Sequence, residues 1–147
     1  MATPADPRAA VPERPMNNAL ARAAAAAADA KARELGITTI SVAVCDESGN
    51  LVFFSRGDTC SFITFETAKG KAIMAAGFRR HTKDYLQHTR ENAAMWASAS
   101  RALDLVPGPG GSPITKNGVL IGGIGCGGAL GDEDHLCSEA GAKAVSN

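Results

Sequence analysis

The stretch PGGSPITKNGVLIGGIGCGG, residues 109–128, decides how this chain folds. The segment from Val106 to Pro113 holds too many prolines and glycines for a helix and suits a central strand poorly. Lys116-Asn117-Gly118 is typical of a turn, and the run from Val119 to Cys126 predicts a strand with glycines at its middle and end. Because glycine in a strand marks close approach of another backbone or a ligand, we expect an element pressed against this strand.

The rest of the chain alternates between helical and strand patterns. An alanine-rich run from Asn17 or Asn18 to Gly36 predicts a helix. Bulky and small residues then alternate from Ile40 to Cys45, and a turn at 46–50 leads to a second strand at 51–54, so the two runs predict an antiparallel hairpin. Three further helices are predicted, over 62–80, from Thr82 to about Leu103, and from Asp132 towards the end of the chain.

Composition predicts one domain with no charged partner. The chain has 147 residues, 45% of them hydrophobic, which is enough for one core. Fifteen basic and fifteen acidic side chains cancel, so neither nucleic acid nor an anionic membrane is an expected partner, whereas self-association is favoured. The sequence has neither an apolar run of membrane-spanning length nor a signal-peptide pattern, and we expect a cytoplasmic protein.

The proline-rich residues 1–15 predict a disordered or extended arm that folding does not require, and residues 16–147 a single domain. The four cysteines, at positions 45, 60, 126 and 137, have no C-x-x-C spacing. Neither a zinc ribbon nor a disulfide framework is indicated, and we predict reduced thiols and no metal site built from them.

The stretch at 109–128, followed by Asp134 and Gly141, resembles the pattern of the GlcG/HbpS-like family: P-G-G-x-P-I, a short turn, G-x-x-x-G-x-I-G, and a D-[HE] pair that opens the last helix. The hairpin V-A-V-x-D-x-x-G-x-L and the pair Lys71-Ala72 match as well. The resemblance extends from about Asn17 to Val145.

This resemblance implies a profilin-like α+β fold, with an antiparallel sheet of about five strands and helices packed on one face. It also implies dimers or larger rings, and we expect obligatory homo-oligomers with pockets near subunit boundaries. Members of the family resemble haem-binding or haem-degrading proteins, a redox-sensing accessory, or the C-terminal half of some cobalamin adenosyltransferases. Others resemble undefined products of catabolic operons, so the fold does not choose among functions.

Three residues are candidates for acid–base chemistry. Lys71 lies at the family's K-A position amid Ala68, Ala72 and Ala75 on an apolar helix face, which suggests a pocket. Asp134 and His135 lie at the predicted start of the last helix, where an imidazole beside a carboxylate can bind metal or transfer a proton. The alternative is that Asp134 only caps the helix and His135 is a solvated neighbour.

Five further residues are candidates for holding a ligand. Arg56 and Arg79 can pair with a carboxylate or a haem propionate, or they are ordinary surface charges. His81 is a candidate haem ligand or a surface residue, and Gly110 and Gly111 either present backbone N–H groups to an anion or reverse the chain. The resemblance implies that some haem-binding members use a histidine of the first helix as a haem ligand. This chain has no histidine before His81, which counts against haem ligation.

Three functions follow from these candidates. The first is an accessory protein that binds a small anionic aromatic metabolite or haem between the sheet and its helices. The second is a cofactor-free isomerase, hydratase or lyase of a catabolic pathway that uses Lys71, Asp134 or His135. The third is a structural or interaction protein whose main property is oligomerisation.

Overall fold

The structure is a computed structural model that describes residues 3, 5–6, 8 and 12–146. Five α-helices, one 3₁₀ turn and four strands follow in the order α1 (Asn18–Glu34), β1 (Ser41–Asp46), β2 (Leu51–Ser55), α2 (Ile63–Phe78), the 3₁₀ turn (Thr82–Tyr85), α3 (Leu86–Glu91), α4 (Ala93–Leu103), β3 (Gly111–Lys116), β4 (Val119–Gly127) and α5 (Gly131–Val145). None of the helices in the described part of the chain has the length and apolar character needed to cross a bilayer.

Part of the arm predicted for residues 1–15 lies outside the described residues. Within the described part, Arg14 Nη1 lies 3.6 Å from Oδ2 of the buried Asp46. Met16, directly after the predicted arm, is only 2% exposed and belongs to the core. The end of the predicted arm therefore contacts the domain.

The α+β class is confirmed, but the expectation of about five strands is wrong. The sheet is antiparallel with the strand order β2-β1-β4-β3, so two hairpins join through β1 and β4. The segment between α2 and β3 forms the 3₁₀ turn, α3 and α4. This part of the chain therefore adds no strand to the sheet.

Helices cover both faces of the sheet, so the expectation of one covered face is also wrong. The reason is the alternation of side chains along β1. Val42 and Val44 point into a cluster with α1 and α5, whereas Ala43 and Cys45 point into a second cluster with α2.

Helix α2 lies against the backbone of β4, as the glycines of that strand predicted. A Cβ atom on Gly125 would overlap the Ala68 carbonyl oxygen and lie 2.6 Å from the Ala72 amide nitrogen. One on Gly123 would lie 3.1 Å from the Ala76 nitrogen. The sheet and α2 therefore meet through backbone and alanine methyl groups, and no room remains between them for a ligand.

The single helix predicted from Thr82 to about Leu103 is interrupted. The backbone leaves helical geometry at Asn92, with φ −127° and ψ 43°, between α3 and α4. Across this break the indole nitrogen of the buried Trp96 donates to His88 Nδ1 over 2.9 Å. His88 therefore has a structural hydrogen bond of its own, away from the other two histidines.

Candidate functional site

Lys71 and Asp134 form a buried ion pair between α2 and α5. Lys71 Nζ lies 3.1 Å from Asp134 Oδ2 and donates to the carbonyl oxygen of Cys126 over 2.9 Å. The side chains are only 10% and 3% exposed. Burial raises the pKa of Asp134, against the lowering effect of the adjacent Lys71 ammonium. The pair joins helices that lie on opposite faces of the sheet.

The two glycines before β3 make room for this pair. Gly110 has φ +122°, and a Cβ there would lie 2.8 Å from Asp134 Cβ and 3.1 Å from Lys71 Cδ. The Gly111 amide already donates to Thr82 Oγ1 over 2.9 Å. The two glycines leave space for the Lys71 side chain at the end of the sheet. Anion binding by their N–H groups stays a prediction.

His135 belongs to a second polar cluster, which also contains His81 and Glu139. The rings of His81 and His135 meet edge to face with centroids 5.2 Å apart. His135 Nε2 lies 3.5 Å from Glu139 Oε2, and its side chain is only 8% exposed. Burial lowers the pKa of His135, with the nearby Lys83 charge acting in the same direction and Glu139 opposing both.

Arg56 belongs to a different region, which we call the aromatic groove: the open depression of about 730 Å³ lined by Phe54, Arg56, Phe62, Phe65 and Glu66. The rings of Phe54 and Phe65 pack edge to face at 4.9 Å between centroids. Phe62 is 78% exposed although it is an aromatic residue of the groove wall. The groove thus combines apolar surface with one guanidinium group and one carboxylate.

Arg79 lies apart from Arg56. It lines a smaller depression of about 490 Å³ together with Glu47 and residues around the β3–β4 turn. Its backbone has φ 59°, so α2 ends at Phe78, two residues before the predicted limit at Arg80. The eight candidate residues therefore fall into separate places: the ion pair with its two glycines, the histidine cluster, the aromatic groove and the Arg79 depression.

Sequence reasoning missed Phe62, Phe65 and Glu139. Phe62 and Phe65 are three residues apart at the start of a helix, a spacing that places them on neighbouring positions of one face. Glu139 follows His135 by four residues on α5, which is also a spacing that can be read from the sequence. The approach of His81 to this pair depends on the fold and has no local signal.

Comparison with known proteins gives the same family from sequence and structure. Residues 16–143 match the family model described as haem degrading protein HbpS-like. Protein GlcG of Escherichia coli K12 is 33% identical over 87 residues, which are 59% of this chain and 63% of GlcG, so less than two thirds of that relative is spanned. An uncharacterised 15.0 kDa protein from the dhaT-dhaS intergenic region of Citrobacter freundii is 27% identical over 82% of this chain and 85% of its own length.

Solved structures agree with this assignment. A double mutant of HbpS from Streptomyces reticuli superimposes with a TM-score of 0.81 and 28% identity, over 100% of this chain and 99% of that one. A complex of PduOC with heme shares the fold with a TM-score of 0.78 and 22% identity, over 88% of this chain and 94% of the other. The protein therefore belongs to the HbpS-like family, which its GlcG/HbpS-like sequence motifs predicted.

Proposed function

We propose that this protein is an accessory protein that binds a small anionic aromatic ligand in the aromatic groove. The observation that carries the proposal is the placement of Arg56 beside three phenyl rings in a space of about 730 Å³. Ligand sites of about 300–1,000 Å³ commonly combine an apolar lining with a few polar groups that fix orientation. A planar ring suits the phenyl walls, and a carboxylate suits the guanidinium.

The charges around the groove favour an anion. Glu66 Oε2 lies 3.2 Å from Lys69 Nζ, so this carboxylate has a cationic partner of its own. Among the described residues, no ion pair joins Arg56 to a carboxylate. The guanidinium is therefore available to the carboxylate of a ligand.

Haem fits these residues less well than a small aromatic anion. A b-type haem needs an axial ligand, most often histidine, and the aromatic groove is lined by phenylalanine, arginine and glutamate. Of the three histidines, His88 accepts the Trp96 indole N–H, while His81 and His135 face each other beside Glu139. The groove has no axial ligand in one protomer, so the proposal names the small aromatic anion and keeps haem as an arm of the test.

The enzymatic alternative has no comparable support. Lys71 and Asp134, two of its predicted catalytic residues, are bound to each other inside the protein and also hold Cys126 O and the Ala129 amide. His135 contacts a different set of groups. We therefore give these residues no step in a reaction.

Oligomerisation and a cytoplasmic location are part of the same proposal. Phe62 in the groove wall and the adjacent Ile63 are 78% and 55% exposed, and apolar surface of this kind is typical of subunit contacts. All four cysteines are free thiols, three of them buried, which agrees with a reducing compartment. A groove beside a subunit boundary would match the expected position of the pocket.

The test compares 2-naphthoate with 2-naphthalenemethanol, which has the same ring system without the charge. Saturation-transfer NMR and calorimetry would follow both probes with the unaltered protein, Arg56→Ala and Arg101→Ala, the last being an exposed arginine on α4 that serves as the matched control. A charge-assisted hydrogen bond contributes about 1.5–3 kcal/mol, so Arg56→Ala should weaken naphthoate binding by about 10- to 100-fold and leave the alcohol almost unaffected.

The outcomes separate the alternatives. Equal loss in Arg56→Ala and Arg101→Ala, or naphthoate binding that does not saturate, would refute the proposed site. Haemin is titrated in parallel and followed by its Soret band. A stoichiometric, shifted Soret band that persists when Phe62 is replaced by alanine would show that haem binds elsewhere, and would favour a haem protein over a small-anion protein.

A further inference from the structure

Two imidazoles and a carboxylate converge beside α5, and none of the three residues lines the aromatic groove or belongs to the Lys71–Asp134 pair. One ligand atom from each of His81, His135 and Glu139 lies within 4.8 Å of the other two. His135 and Glu139 are four residues apart on α5 and project from the same face. His81 reaches them from the connection between α2 and the 3₁₀ turn.

We propose that His81, His135 and Glu139 bind a divalent transition-metal ion of the zinc type. In tetrahedral coordination with bonds of about 2.0–2.2 Å, ligand atoms lie roughly 3.3–3.6 Å apart. The separation of 3.5 Å between His135 Nε2 and Glu139 Oε2 already falls in this range. The remaining separations, at most 4.8 Å, require side-chain movements on the order of 1 Å to close around an ion.

A chain of hydroxyl groups prepares His81 as a ligand. Ser138 Oγ donates its proton to the His135 carbonyl oxygen over 3.1 Å. In its 2.8 Å contact with Ser112 it must therefore accept, and Ser112 becomes the donor. Ser112 Oγ can then only accept from His81 Nδ1, 3.0 Å away. This assigns the proton of His81 to Nδ1 and leaves the lone pair on Nε2 available to a metal, with the outer hydrogen bond that metal-binding histidines usually have.

The donor set selects the class of metal. Two imidazoles and one carboxylate suit Zn²⁺, Co²⁺ or Ni²⁺, whereas Mg²⁺ and Ca²⁺ prefer oxygen ligands throughout. Three protein ligands leave a fourth position open for water or another exchangeable ligand. The Glu139 side chain is 31% exposed, so an ion can reach the cluster from solvent. Its other oxygen, Oε1, accepts from Lys143 Nζ over 3.2 Å, which leaves Oε2 for the metal.

The experiment titrates metal-free protein with Co²⁺, whose visible spectrum reports tetrahedral coordination by nitrogen and oxygen, and with Zn²⁺ against a chromophoric chelator. The variants are Glu139→Gln and His81→Asn, with His88→Asn as the matched control. Loss of an outer hydrogen-bond partner costs metal sites about 10- to 100-fold in affinity. Ser112→Ala removes such an outer partner and should weaken metal binding by about 10- to 100-fold. Glu139→Gln and His81→Asn remove direct ligands and should weaken metal binding by more than about 100-fold.

Circular dichroism confirms that each variant is folded, and ¹H–¹⁵N spectra of the imidazoles provide a second readout that does not depend on any variant. Zn²⁺ should shift the ring nitrogens of His81 and His135 and leave those of His88 unchanged, and excess Mg²⁺ should not compete. The proposal is overturned if Co²⁺ does not bind one per chain, if Glu139→Gln binds as tightly as His88→Asn, or if the shifts occur at His88. None of these results bears on the aromatic groove.

Discussion

Replacing Lys71 with methionine tests whether the ion pair with Asp134 holds the fold together. The substitution keeps most of the side-chain volume and removes the charge. Asp134 would remain 3% exposed, with its carboxylate satisfied only by the Ala129 amide at 3.2 Å. Removing one partner of a buried pair costs about 3–5 kcal/mol because the other charge stays buried without compensation. That loss is a large share of the roughly 5–15 kcal/mol that stabilises an ordinary domain.

The assay is unfolding by urea and by heat, followed by tryptophan fluorescence and circular dichroism, with Lys71→Met, Asp134→Leu and the double variant forming a cycle. For a chain of this size, each kcal/mol moves the melting temperature by about 2–4 °C, so Lys71→Met should lower it by roughly 6–20 °C. The double variant should recover most of this loss, because an apolar pair leaves no unpaired charge. A Lys71→Met protein within about 1 kcal/mol of the original, or single losses that simply add, would refute the reasoning.

Three further predictions concern packing, pH and assembly. Gly125→Ala should destabilise the protein by more than about 3 kcal/mol, because its Cβ overlaps the backbone of α2. Gly77→Ala, on the exposed side of α2 with nothing within 4 Å, should instead stabilise it by about 0.5–1 kcal/mol; chemical unfolding of both variants measures the contrast. Burial raises the pKa of the Cys45 thiol to about 12, whereas the pKa of an unfolded cysteine is about 8.5. The stability that depends on the neutral thiol is therefore complete well below pH 8.5 and is lost as pH rises towards 12. Unfolding measured from pH 8 to 11 should show this decline, and Cys45→Ala should reduce its slope by up to about 1.4 kcal/mol per pH unit. Light scattering at micromolar concentration should give a mass above the 15.0 kDa of one chain and a melting temperature that falls on dilution; a monomer with a dilution-independent melting temperature would contradict the expected assembly.

The local signals of the sequence predicted α1, α2, α5, β4 and the β1–β2 hairpin, whereas β3 was not predicted as a strand. Asn17 caps α1 by accepting from the Leu20 amide over 2.8 Å, as its residue type predicted. The glycines of β4 predicted a close neighbour, and α2 is that neighbour. The break at Asn92 had no such signal, since it arises where Trp96 and His88 meet in the folded chain.

The candidate site was predicted less completely, because its members are brought together by contacts distant in sequence. Lys71 and Asp134 were singled out separately, and their pairing depends on the space left at Gly110. Arg56 and Arg79 looked equivalent as cations, yet opposite ends of α2 separate them into different depressions. Residue type therefore identified candidates, and only the topology decided which of them meet.

The direct packing of α2 on the glycines of β4 determines which positions of this protein can accept substitutions. Side chains of different size cannot be accommodated where Gly123 and Gly125 meet the helix, so the position of α2 relative to the sheet is fixed by main-chain contact. Phe62 and Phe65 lie at the start of that helix and face outward from this contact. Substitutions there would change the proposed ligand site without repacking the interior, because the position of the helix does not depend on these two side chains.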